Sequence, residues 1–381
     1  MKIVVAMDSF KGSLSSLEAG EAVRQGILRA MPEAEVTVRP MADGGEGTVE
    51  ALTMGMGGRL ETITVTGPLG EPVEAQYGIL DGTAVMEMSA AAGITLVPEE
   101  KRNPLHTTTY GVGEMIRDAA GKGCRRFLIG IGGSATNDGG VGMLQALGFG
   151  LLDGHGDQVP FGAKGLEELA AITVESALPE LRNCVFRVAC DVTNPLCGPQ
   201  GASAVYGPQK GADPEMTVRM DRALARYAAL SKETFPQADA LHPGTGAAGG
   251  LGFALRTFLN ASLEPGVGIV LEETGLEDCV RDADVVVTGE GRLDGQTAMG
   301  KTPVGVAETA KKHGALVVAF SGCVTEDAGV CNREGIDAFF PILRSVLLLQ
   351  EAMAPDIARK NLTAAAEQAF RLIRSSREML R

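Results

Sequence analysis

The chain has 381 residues, 45% of them hydrophobic and 22% charged, and carries a formal net charge of −14. That length allows two domains and a large core, and no basic patch marks a nucleic-acid binder. No apolar run reaches membrane-spanning length, so neither nucleic acid nor membrane is an expected partner.

Residues 3–6 read as a buried strand and not as a cleavable leader, because no basic segment precedes a long apolar core. Ser15 and Glu18 have capping-box spacing, and Ala19, Val23, Ile27 and Ala30 then mark one helical face. Alternation predicts a strand at 35–39, followed by the turn ADGGEGT at 42–48 and helical sequence from Val49. Short alternating strands are expected at 61–65, 74–79 and 84–88, separated by Gly-Pro and Asp-Gly turns. A helix over 107–121, a strand at 126–131, a loop over 132–140 and a helix over 141–147 come next. A strand at 186–190 ends at Asp191, and a helix covers about 215–233. The chain end returns to strand–helix alternation, with strands at 284–288, 315–321 and 337–341 and helices at 302–313 and 357–376.

This order predicts an α/β fold. The two early and three late strands suit a flavodoxin-like parallel five-stranded sheet, with a second α/β domain inserted. The expected domains are 1–65 plus 283–381 for the flavodoxin-like part and 66–282 for the insert, with the active site in the cleft between them. In such sheets ligands bind beyond the C-terminal ends of strands.

Several glycine-rich turns fall at predicted strand ends. TGEGRLDGQTAMGKTP, at 288–303, combines Gly289 and Gly291 with Glu290, Arg292, Asp294 and Lys301. Glycine permits close backbone approach to an anion, and both charge signs suit a metal-bound polyphosphate. Residues 295–302 fit the letters of a P-loop, but six residues separate them from their strand; a solvated connection is the plain alternative. Asp8, Lys11 and Ser13 follow the first strand and read as the rim of a site. Gly44 and Gly45, flanked by Asp43 and Glu46, exceed what helix capping requires.

Residues 130–135 fit G-x-G-x-x-A after a strand, with Asp153 beyond as a candidate ribose ligand. Gly139-Gly140 makes a poor helix interior, however. The preferred reading is a longer loop in which Gly132, Gly133, Ser134, Asn137 and Asp138 face phosphate and metal. Asp191 and Asn194 fit a Mg²⁺ or hydroxyl ligand, or equally an Asx turn. Lys210 is either a substrate-facing cation or a solvated turn residue, and the glycines of 244–252 serve close packing or nucleotide approach.

Seven scattered Cys without a C-x-x-C pair, and four dispersed His, argue against structural zinc and suit a reducing cytoplasm. No G-x-S-x-G elbow is present, which argues against a Ser/His/Asp hydrolase. Asp, Asn, Lys, Arg and glycine turns are the inventory of phosphoryl transfer, where positioning and charge stabilisation dominate.

Taken in order, MDSFKGSLS at 7–15, ADGGEGT, GIGGSATNDGG at 130–140, ACDVTNPL at 189–196, GPQKGA at 207–212, PGTGAAGGLG at 243–252 and TGEGRLDGQTAMGKTP span nearly the whole chain. This set resembles the glycerate kinase type I family. The resemblance implies an ATP- and Mg²⁺-dependent kinase of D-glycerate with a flavodoxin-like domain, and it sets aside the P-loop fold. It implies that Lys11 or Arg292 holds the substrate carboxylate, while Asp191 or Asp8 orients or deprotonates the accepting hydroxyl. Asp191, Asp43 and Asp294 are the expected metal ligands. Gly44, Gly45, Gly132, Gly133, Ser134, Asn137, Gly289, Glu290, Gly291 and Lys301 are expected to face the nucleotide. The 2-hydroxyl is favoured over the 3-hydroxyl as acceptor, and a homo-oligomer is admitted. The rivals are a nucleotide-binding oxidoreductase and a non-catalytic nucleotide sensor.

Overall fold

A computed structural model describes residues 1–379. The strands in chain order are β1 (Lys2–Met7), β2 (Glu35–Val38), β3 (Arg59–Thr66), β4 (Pro72–Leu80), β5 (Thr83–Glu87), β6 (Arg126–Gly130), β7 (Gly150–Leu152), β8 (Ala171–Thr173), β9 (Val185–Ala189), β10 (Ser262–Glu264), β11 (Val285–Leu293), β12 (Leu316–Val324) and β13 (Ala338–Pro341).

The chain divides into two compact units. The first comprises Met1–Asp43, Glu50–Met56 and Val267–Arg381, and the second Gly44–Val49 and Gly57–Gly266. The first unit holds a five-stranded sheet in the order β13-β12-β11-β1-β2, with every pairing parallel. Ile3, Val5, Val285, Val287, Val318 and Phe320 are buried in its core, as β-branched and aromatic runs with both faces covered should be. The Ser16–Ala30 helix opens with the expected capping box, Ser15 accepting from Glu18 N and Glu18 from Ser15 N. It packs on the long Pro355–Met379 helix, and Gly26 makes that approach possible: a Cβ there would lie 2.3 Å from the Thr363 carbonyl oxygen.

The second unit holds a six-stranded sheet, β10-β9-β6-β5-β4-β3, and the small pair β7-β8. β3, β4 and β5 are antiparallel, whereas β5, β6, β9 and β10 are parallel. Its core gathers around Phe127, Phe186, Tyr227 and Phe253.

Three boundaries fall elsewhere than expected. The expected crossing at 65/66 assigns residues 59–65 to the outer domain, but β3 pairs along its length with β4 and belongs to the second unit. The late crossing falls at Val267 rather than at 283. Strand β11 also runs to Leu293, five residues past the expected end, because Gly289 to Leu293 continue their pairing with β12.

Candidate functional site

In the first unit β1 lies between β2 and β11, so the chain order reverses beside it. Ligands in open parallel sheets bind outside the strand C-termini at such a point. Asp8 immediately follows β1 there, its N–H bonded to the Gly289 carbonyl at 2.9 Å. The carboxylate is buried at 3% exposure. Thr302, which opens the Thr302–Lys312 helix, donates its hydroxyl to Asp8 Oδ2 at 2.9 Å, and Ser9 N donates to Oδ1 at 2.6 Å. Burial foremost, then the charge of Asp43, pushes the Asp8 carboxyl up to about 7, against the opposing pull of Thr302, Ser9 and Lys11. Lys11 Nζ pairs with Asp43 Oδ2 at 2.8 Å and stays half-exposed. Burial opposes the charge on Lys11, but Asp43, Asp8 and Glu290 outweigh it and leave the ammonium more basic than usual.

Glu290 on β11 accepts from the Thr297 hydroxyl at 2.6 Å. Burial raises its carboxyl, opposed by Thr297 and Lys301. Asp294 Oδ1 caps the short turn after β11, accepting from Gln296 N at 2.9 Å and Thr297 N at 3.2 Å, while Oδ2 pairs with exposed Arg292 at 3.1 Å. Both oxygens of this expected metal ligand therefore serve the fold. Gly289, Glu290, Gly291 and Arg292 stand on a strand and not in a phosphate-cradling turn. Gly289 is required by packing, since a Cβ would lie 1.9 Å from the Phe320 carbonyl oxygen. Lys301 caps the Thr302–Lys312 helix, and the P-loop letters before it hold a 3-10 turn, Thr297–Met299.

The second unit gathers its own set. Register places Glu87 beside Gly130, and Gly130 beside Ala189, on one edge of the sheet. The 131–140 loop and Asp191 thus leave from neighbouring strand ends. Glu87 accepts from Val49 N at 3.1 Å and also takes bonds from Gly47 and Thr48 N–H groups, which ties the Gly44–Gly47 turn to the same edge. Burial raises the Glu87 carboxyl against those bonds. Asp191 is exposed and accepts from Gly266 N at 2.9 Å. Gly44 is buried, not open to a ligand: a Cβ would lie 2.6 Å from Gly266 Cα.

The 132–140 loop is a long loop, as expected. Gly132 and Gly133 are exposed, and Gly133 takes φ +71°. Asn137 donates to Ser203 Oγ at 2.9 Å, and its Oδ1 is buried without a partner. Asp138 is wholly buried and accepts from Thr109 N and Oγ1, both at 2.8 Å, and from Gly140 N at 3.0 Å, so it is spent on holding the loop. Lys210 is buried at 2% exposure, contrary to a solvated-turn reading. The glycines of 244–252 serve packing: a Cβ on Gly249 would lie 2.0 Å from the Thr136 carbonyl oxygen. Asp153 sits in an exposed turn next to β7, outside the six-stranded sheet, and accepts from His155 N at 2.8 Å. The dinucleotide reading thereby loses its ribose ligand.

Asp43 and Asp294 belong to the first unit and Asp191 to the second. Among the described residues no three of His, Cys, Asp and Glu gather into a metal shell. Mg²⁺ is usually held by one or two carboxylates plus substrate phosphates, so acids at these strand ends fit an ion that arrives with its nucleotide. Sequence reading missed Glu87, Thr297 and Thr302. Glu87 and Thr302 had the signal applied to Asp8, a position at a strand or helix end; Thr297 had none.

All seven cysteines are unpaired thiols, and no helix among the described residues is long and apolar enough to cross a membrane. A model of the glycerate kinase family matches residues 3–374. The glycerate kinase of Bacillus subtilis (strain 168) is 50% identical over 354 residues, covering 92% of this chain and 93% of that one. The glycerate 2-kinase of Escherichia coli (strain K12) is 49% identical over 360 residues, covering 92% and 93%. The crystal structure of a Salmonella typhimurium LT2 protein provisionally named glycerate kinase 2 superposes with a TM-score of 0.92 at 46% identity, covering 99% of both chains. A match of this extent by model, by sequence and by structure places the chain in the glycerate kinase family.

Proposed function

We propose that this protein transfers the γ-phosphoryl group of Mg²⁺-ATP to the 2-hydroxyl of D-glycerate in the cytoplasm. Family membership supports the kinase activity and the substrate, and the name of the Escherichia coli relative favours the 2-hydroxyl. The observation that carries the reading is Asp8, a buried carboxylate at a strand end that accepts from Thr302 and Ser9 beside the Lys11–Asp43 pair, where burial pushes its carboxyl up to about 7. A base near neutrality at a strand end suits deprotonation of an alcohol as it attacks phosphorus.

Lys11 then meets the glycerate carboxylate, with Arg292 as second cation. Of the expected metal ligands Asp43, Asp191 and Asp294, the last is engaged by Gln296 N, Thr297 N and Arg292, so the metal role is kept for Asp43 in the first unit and for Asp191 in the second, each taken by itself. Gly45, Gly132, Gly133, Ser134, Asn137, Glu290 and Lys301 face the nucleotide. The five-stranded unit is read as a flavodoxin-like domain, on its order of 2-1-3-4-5 among its own strands. The remaining residues are read as an insert. ADP release measured with D-glycerate, L-glycerate and glycerol tests this. Turnover should require D-glycerate, and equal rates with glycerol or without acceptor would refute the assignment.

A further inference from the structure

Lys210 poses a physical problem. Its ammonium is buried, and no carboxylate lies within ion-pair distance of it among the described residues. A buried unpaired charge is costly, so a fold retains one for a reason. Nζ donates to Ser134 Oγ at 2.7 Å and to the Thr136 carbonyl oxygen at 2.6 Å. Burial pushes Lys210 down to about 7, with Asp138 the only charge that opposes the shift.

The direction of the first bond has a consequence. While Lys210 is protonated its ammonium can only donate, so in that form the Ser134 oxygen accepts and the serine proton points elsewhere. No group among the described residues receives it. The N–H groups of Gly132, Gly133 and Ser134 likewise donate to nothing within the described chain. Gly133 turns the backbone through φ +71°, and Gly132 has open space around it. The inner side of the loop, by contrast, is tied down by Thr107 to the Ala135 carbonyl at 2.9 Å and by Ser203 and Thr109. Consecutive unbonded N–H groups beside a serine hydroxyl that donates to no described residue make a donor set for an oxyanion.

We propose that Lys210 is a positioning residue that turns the Ser134 hydroxyl outward as a dedicated donor to an oxyanion bound over Gly132–Ser134. The ligand is a phosphoryl oxygen of the nucleotide, and this choice rests on the kinase reading. The side chain of Lys210 does not touch the ligand; it acts through Ser134.

The full chain, its Ser134→Ala variant, Lys210→Met and the double variant are titrated calorimetrically with D-glycerate, ATP and inorganic phosphate. Circular dichroism checks folding. Loss of a hydrogen bond to a charged group predicts binding weakened roughly 10- to 100-fold in Ser134→Ala. Weakening of ATP and phosphate is the expected result, and weakening of D-glycerate alone would overturn the phosphoryl assignment. Lys210→Met should weaken the same ligand and add almost nothing once Ser134 is alanine. Unchanged binding of all three in Ser134→Ala, or no binding of any by the unaltered chain, overturns the proposal. If Lys210→Met fails to fold, Ser134→Ala still decides. Failure of the kinase reading shows separately, as absent ADP release with phosphate binding intact.

Discussion

At the residue scale, Asp8 carries the sharpest expectations. Asp8 is proposed as the general base, and replacing such a group costs roughly 10²- to 10⁴-fold in rate. Asp8→Asn should therefore lower kcat by at least about 10²-fold, with the KM for ATP changed little. The acid limb of kcat/KM should rise through about pH 7, because the carboxylate is the active form. Stability runs the other way. The folded pKa lies above the ordinary carboxylate value of 3.8, so between that value and about 7 the folded chain binds the extra proton and loses stability as pH rises. In chelator at pH 8, Asp8→Asn should be more stable than the parent by about 1–2 kcal/mol, and at pH 4 the difference should vanish. Denaturant titration at the two pH values checks the sign; equal gains at both would contradict burial of the charge. Asp8 was legible in the sequence because it ends a buried run. The inward course of Lys210 was not, since a lysine between glycines reads identically whether it is solvated or enclosed.

Among elements, the strands and helices with long apolar periods were readable, and their ends shifted by one to three residues at most positions. The exception is β11. Glycine and mixed charge over 289–293 read as a turn, yet pairing with β12 carries the backbone on, because a neighbouring strand supplies partners that local propensity cannot foresee. Strands β7, β8 and β10, of three residues each, carried no periodic signal at all. Helix contacts give a further test. Gly26→Ala drives a methyl group against the Thr363 carbonyl and Ala366, and overpacking of that kind costs about 1–3 kcal/mol. Removing the helix cap with Ser15→Ala should cost about 1 kcal/mol. Thermal unfolding of both variants should show two losses, and a fully tolerated Gly26→Ala would refute the tight packing of the two helices.

For the whole molecule, motif order identified the family, but the division of the chain was only partly readable. Residues 59–66 alternate like any half-buried strand, and only their pairing with β4 reveals which unit owns them. Strand-end positions transferred better. Asp8, Asp191 and the 132–137 loop were marked by position in sequence, and within each unit the structure gathers the marked residues at strand C-termini. The gathered residues are proposed to serve phosphoryl transfer to a small hydroxy acid. Real-time phosphorus NMR of the purified chain with Mg²⁺-ATP and D-glycerate tests it most directly. Loss of the γ-phosphate signal matched by growth of a 2-phosphoglycerate signal is the predicted result, whereas ATP left intact beside D-glycerate, or a product carrying phosphate on the 3-hydroxyl, would contradict it.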